Sequence, residues 1–180
     1  SHRIVEQIKQ GKGDALCLAF DVLKPTLISK KDFGSEWAPT HLYYFATPII
    51  SLGLRNSFST SMFQKYCDYY VSGFFNTVQT VQSLGGRLQG VFYPSTIAVD
   101  GLLPTNMVEF AAAKSAGETI CNLLSKKNPK EKIYSPRLPL TTTDQMAFFL
   151  PTDKQDPVPL MLEKIRQFYD KKDSNSGPCL

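Results

Sequence analysis

The stretch Leu88-Gln-Gly-Val-Phe-Tyr93, Pro94-Ser-Thr96 and then, after a loop, Glu109-Phe-Ala-Ala-Ala-Lys114 decides how this chain folds. A short apolar run that ends in two hydroxyl residues has the form of a strand covered on both faces. From Met107 to Lys126 the pattern becomes a long alanine-rich helix, with Val108, Ala111, Ala112, Ile120 and Leu124 expected on its apolar side. Phe110 and Lys114 stand one helical turn apart, so they share a face, directed toward the carboxyl end of the strand. In an open α/β sheet that edge is where ligands bind.

The same alternation continues in both directions. Upstream, residues 2–10 carry Ile4, Val5 and Ile8 at helical spacing, and Gly11 and Gly13 close the pattern. Ala15-Leu-Cys-Leu-Ala-Phe20 and His41-Leu-Tyr-Tyr-Phe-Ala46 both read as short buried strands, separated by a polar loop holding Pro25 and Pro39. A helix is expected from Thr60 to Leu84 through Met62, Tyr66, Tyr69, Tyr70, Gly73, Phe74, Val78 and Val81. Downstream, Lys132 to Pro136 reads as a strand, and Pro157 to Lys171 as an amphipathic helix through Val158, Leu162, Ile165 and Phe168. Residues 173–180 are expected to form a loose tail. Buried strands alternating with helices imply an α/β class, Rossmann-like, with a mainly parallel sheet and helices on both faces, in one domain over residues 1–172. Parallel strands are expected near 15–20, 41–46, 88–94 and 132–136, with the helices at 60–84 and 107–126 on the same face.

Composition narrows the function classes. The chain has 180 residues and a mass of 20.1 kDa, long enough for a sizeable core. Lys and Arg number 20 against 16 Asp and Glu, a net charge of +4. The pairs Lys30-Lys31, Lys126-Lys127 and Lys171-Lys172 are separated by neutral sequence, so a solvated surface accounts for them and nucleic acid is not an expected partner. No apolar run approaches the ~20 residues of a membrane span, and no membrane partner is expected. Cysteines at 17, 67, 121 and 179 form no C-x-x-C pair, and His2 and His41 lie near none of them, so no metal site is expected. Cys17 and Cys121 sit in apolar stretches and read as buried thiols, which suits a reducing cytoplasm. Neither G-x-G-x-x-G, nor G-x-x-x-x-G-K-Ser/Thr, nor G-x-S-x-G occurs, and Gly11-Lys12-Gly13 reads as a helix-ending turn.

The element order together with the Phe110–Lys114 helix resembles the short-chain dehydrogenase/reductase family, ketoreductase-like members in particular, over residues 3–150. In that family a strand-end serine and a Tyr-x-x-x-Lys helix reduce carbonyls. Thr96, with Ser95 as the alternative, matches the serine; Phe110 matches the tyrosine and Lys114 the lysine. Phe20-Asp21-Val22 is similar to the strand-end Asp-Val whose acid lies by the adenine. Phe45-Ala46-Thr47-Pro48 falls where the family has an Asn-Asn-Ala-Gly turn, and Tyr70-Val-Ser-Gly73 where a helix reads Asn-x-x-Gly. Ser135-Pro136-Arg137-Leu138-Pro139, followed by Thr141-Thr-Thr-Asp144, looks like the strand end that lies against the nicotinamide. The resemblance implies NAD(P) as cofactor, with Asp21, Ala46, Thr47, Lys114, Pro136 and Arg137 around it. It implies a small carbonyl compound as substrate, with Thr96, Ser95, Phe110, Lys114 and Tyr70 at the catalytic positions.

The departures shape the functional expectation. The family's tyrosine protonates the substrate oxygen while its lysine lowers the phenol pKa; Phe110 has no proton to give. Loss of a general acid forfeits about 10²–10⁴ in rate. Tyr70 replaces the asparagine that relays protons. The opening strand-helix-strand unit, with its glycine loop, has no counterpart, because the resemblance begins at the third helix-strand unit. The expectation is a truncated reductase-fold domain impaired in catalysis; the alternative is a non-catalytic scaffold or interaction domain that keeps the fold. A sheet without its opening unit is left with a free edge or a bare face. Self-association is therefore expected, through that surface or the two long helices. Glu109 and Asp144 are expected at the surface.

Overall fold

Two prolines in register decide where the sheet is interrupted. The computed structural model describes residues 2–24, 38–53, 57–85, 88–102, 105–139 and 156–170. Strands β1 (His41–Tyr43), β2 (Gly90–Phe92) and β4 (Lys132–Tyr134) form a parallel sheet with β2 in the middle, Val91 opposite both Leu42 and Ile133. β3 (Ser95–Thr96) and β5 (Arg137–Leu138) continue beyond as a second parallel pair, Ser95 opposite Arg137. Pro94 and Pro136 share the rung between the two ladders, and neither has an N–H to give. Pairing resumes one residue later, where the Ser95 N–H donates to the Pro136 carbonyl at 2.9 Å.

Helices cover both faces. α1 (His2–Gln10) opens the chain; α2 (Thr60–Cys67), a π-helical turn (Asp68–Gly73) and α3 (Phe74–Ser83) follow one another directly; α4 (Val108–Lys127) and α5 (Pro157–Asp170) come later. Side chains alternate across β2. Val91 and Tyr93 join Tyr44, Tyr66, Tyr70, Phe74, Val78, Phe110 and Ala113 in one core with α2, α3 and α4. Phe92 faces the other way and meets Phe168 of α5, ring centroids 5.9 Å apart. A Cβ on Gly90 would run into the Phe168 ring, so glycine there is a condition for α5 to sit down. Among the described residues, no helix is long and apolar enough to cross a membrane.

Several expectations fail for physical reasons. Residues 15–20 form no strand: Leu16 is 52% exposed and Cys17 is exposed rather than buried. An apolar run becomes a strand only where a neighbour takes up its N–H and C=O groups, and among the described residues β1 is the edge of the sheet. α4 keeps only part of the expected face: Ala111, Ile120 and Leu124 pack on the core, but Ala112 is exposed. Glu109, Phe110, Ala113, Lys114, Gly117, Cys121 and Leu124 are buried, and Val108 is exposed. An alanine-rich helix has little apolar contrast, and a neighbouring helix decides its rotation. Glu109 is thus a buried carboxylate, accepting the Ser59 N–H at 2.6 Å. In α5, Val158 and Leu162 are exposed and Phe168 carries the contact. The helix expected over 60–84 runs without a gap from Thr60 to Ser83, with a π-helical turn in its middle that the spacing did not announce. The loop through Pro25, the Thr141–Asp144 run and the tail over 173–180 lie outside the described residues.

Phe168 packs against Phe92, Tyr43 and Tyr134, with centroids 5.9–6.0 Å apart. Phe168→Ala is expected to lower the unfolding free energy by about 3–5 kcal/mol, read from urea denaturation. A loss below about 1 kcal/mol would show that α5 does not close this face of the sheet.

Candidate functional site

The residues expected to form a site meet at the carboxyl end of β2. Lys114 and Phe110 lie one turn apart on α4, and both are buried. Tyr70 reaches them from the π-helical turn. Its ring lies edge-on to Phe110, centroids 5.7 Å apart, and Tyr66 packs on Phe110 at 5.8 Å. The Tyr70 and Thr47 hydroxyl oxygens are 2.6 Å apart. The Lys114 ammonium stands 4.0 Å from the centre of the Tyr70 ring and 4.9 Å from that of Tyr93, and donates to the Pro94 carbonyl at 2.7 Å. Two aromatic faces and one carbonyl stand in for water around this cation. They replace it incompletely: burial pulls the Lys114 pKa down to about 7. Burial also pushes the Tyr70 phenol well above its ordinary value.

Ser95 and Thr96 are engaged differently. The Ser95 hydroxyl donates to Glu118 at 2.5 Å. Glu118 also takes a fork of two bonds from Arg137, Nε at 2.9 Å and Nη2 at 2.7 Å, and the third arm of Arg137 pairs with Asp100. Arg137 holds the Glu118 carboxyl below the usual carboxylate range. The Thr96 hydroxyl accepts the Ala98 N–H at 3.2 Å and caps the short helix Ile97–Asp100. Thus Ser95 and Arg137 belong to one polar cluster, and Thr96 closes a turn beside it.

Of the residues expected at a cofactor, Ala46 packs against the core next to Thr47. Pro136 is buried and serves the ladder through its carbonyl. Asp21 is exposed, and its carboxylate accepts the Leu23 N–H at 3.0 Å. Sequence reasoning missed Tyr93, Glu118 and Asp100. Glu118 had a signal, since it lies one turn beyond Lys114 on the same helix. Asp100 had none, because its partner Arg137 is 37 residues away.

No protein-family model matches this sequence, and no curated protein is similar to it. Solved structures are similar in fold. A short-chain dehydrogenase from Salmonella enterica serovar Typhi superposes with a TM-score of 0.72 at 13% identity, over 92% of this chain and 74% of that one. FolM alternative dihydrofolate reductase 1 from Brucella suis, in complex with NADP, gives 0.73 at 15% identity over 94% and 73%. An alcohol dehydrogenase from the archaeon Thermococcus sibiricus, complexed with 5-hydroxy-NADP, gives 0.69 at 15% over 97% and 77%. The chain therefore has the Rossmann-like fold of the short-chain dehydrogenases.

Lys114 makes stability depend on pH with a definite sign. Its native pKa of about 7 lies below the roughly 10.4 of an unfolded lysine. Below pH 7 both states hold the proton, and the fold bears the whole cost of the buried charge. From there to about pH 10 the unfolded chain binds more protons, so stability rises with pH, by at most about 1.4 kcal/mol per unit from this group. Lys114→Met is expected to lose that rise in urea titrations between about pH 6 and about pH 9.5. A stability difference between variant and wild type that does not change with pH would refute it.

Proposed function

We propose that this chain is a short-chain dehydrogenase/reductase-like domain, descended from NAD(P)-dependent reductases of ketones or ketoacyl compounds, that does not itself perform the reduction. Phe110 carries this reading. It occupies the position of the family's proton donor, with its ring set edge-on against Tyr66 and Tyr70. The lysine that would tune a phenol at that position has no phenol there and donates to the Pro94 carbonyl. Tyr70 and Tyr93 are the phenols beside Lys114, and burial makes both weaker acids than free tyrosine, the wrong direction for a general acid at neutral pH.

NAD(P) is the cofactor class of the proposed ancestry, and similar structures in complex with NADP support it. In this reading Asp21, Ala46, Thr47, Lys114, Pro136 and Arg137 mark where it would lie, but Lys114 and Arg137 already have partners of their own. No glycine-rich phosphate loop occurs in the 180 residues, and that loop with its helix N-terminus supplies most of the hold on a pyrophosphate. Titration calorimetry of the 180-residue chain with NADH or NADPH is expected to give no binding heat. Carbonyl compounds with NADPH are expected to give no loss of reduced cofactor. A dissociation constant near 1 μM, which is about 8 kcal/mol of binding, would overturn the reading.

The scaffold side of the proposal rests on what the fold leaves uncovered. Among the described residues β1 is an edge strand, and Phe45, Ile49, Val158, Leu162 and Tyr169 are exposed. Open edges and apolar patches are liabilities that proteins cover, and a homo-oligomer in a reducing cytoplasm is the form we propose. Cys17, Cys67 and Cys121 as free thiols accord with that location. Light scattering is expected to show a mass that grows with concentration. A strictly monomeric species at high concentration would count against it.

A further inference from the structure

We propose that Tyr44 and Tyr93 form a latch that holds the long helix in its π register and so keeps Tyr70 between Thr47 and Lys114. In a π-helical turn a carbonyl bonds to the N–H five residues on, and single turns of this kind need outside support. Here the Phe74 N–H reaches back to the Tyr69 carbonyl across the Asp68–Gly73 turn. The same carbonyl accepts the Tyr44 phenol at 2.6 Å, and the Tyr70 carbonyl accepts the Tyr93 phenol at 3.1 Å. Tyr44 and Tyr93 directly follow β1 and β2, and their rings stack with centroids 6.3 Å apart. Adjacent strands thus hand two donors to adjacent carbonyls of one turn.

Two glycines clear the space. A Cβ on Gly73 would lie 3.0 Å from the Tyr44 hydroxyl and 2.8 Å from the Asp68 carbonyl. A Cβ on Gly117 of α4 would overlap the Tyr93 hydroxyl and come within 2.8 Å of the Tyr70 carbonyl. Burial raises both phenol pKa values, so both stay protonated and remain donors. The consequence is register. One residue of an α-helix turns its side chain by about 100°. An uninterrupted α-helix would carry Tyr70 away from Thr47 and from the Lys114 ammonium. This rests on the reading above only in treating Lys114 as part of the former site. It is tested through Lys114 accessibility, with no cofactor or carbonyl substrate present.

The experiment is reductive methylation of the full chain with formaldehyde and an amine borane, mapped by peptide mass spectrometry. Lys114 is expected to be protected in the wild type, while exposed Lys126 reacts. Tyr44→Phe with Tyr93→Phe is expected to speed labelling of Lys114 by about tenfold or more, the effect of removing ordinary hydrogen bonds from a local opening, with Lys126 unchanged. Hydrogen exchange over 68–74 should rise with it. Gly117→Ala keeps both phenols but crowds Tyr93, and is expected to act in the same direction. It decides the matter if the double variant does not fold. Val78→Ala, a cavity in the same core away from the phenols, should leave Lys114 protected. The latch is refuted if Lys114 stays within about twofold of wild type in the folded latch variants, or if Val78→Ala exposes it equally.

Discussion

A strand with ladder partners on both edges and apolar groups on both faces tolerates no water on any side, and β2 is such a strand. β1 and β4 take its edges. Val91 and Tyr93 point to one face and Phe92 to the other, all without exposed surface. Two layers of helix follow from that constraint. α2, α3 and α4 share the face of Val91 and Tyr93, while α5 closes the face of Phe92 through Phe168. Because α4 must lie against the π-helical turn, Gly117 meets the Tyr70 carbonyl, and Lys114 enters the interior one turn away.

At the carboxyl end of β2, the protein's own atoms engage most of the polar groups, Ser135 Oγ excepted. Lys114 binds the Pro94 carbonyl, Ser95 binds Glu118, Thr96 accepts from Ala98, and Thr47 meets Tyr70. Buried polar groups require partners, and in a binding site a ligand supplies part of that need. Here neighbours from β3, α4, β5 and the π-helical turn supply it. The polar residues at this end therefore serve as struts, and the Phe110 ring packs between Tyr66 and Tyr70.

Alternation of apolar runs and helical periods was enough to read a parallel sheet with strands near 41–46, 88–94 and 132–136, which the structure places at 41–43, 90–92 and 132–134, and helices on both faces. Helical spacing put Phe110 and Lys114 on one face, the family resemblance added Thr47 and Tyr70, and the four do meet. It failed where the outcome depends on something distant. The apolar run at 15–20 has strand chemistry but no described strand beside it. The face of α4 could be read only in part from alanines, whose methyl groups have little preference between core and surface, so Glu109, expected at the surface, went inside unannounced. Glu109 is reached by Ser59, 50 residues away, and Arg137 by Asp100, 37 residues away.

The sequence by itself determined the class of fold and the absence of a phenol at position 110, because hydrophobic period and residue identity are local properties. Tertiary structure alone decided the protonation balance of Lys114, the π register that carries Tyr70, and the commitment of Arg137 to carboxylates. Each of these depends on which groups arrive from other elements. Desolvation, close helix approach and ion pairing are energies of juxtaposition, and no single segment contains both of the partners.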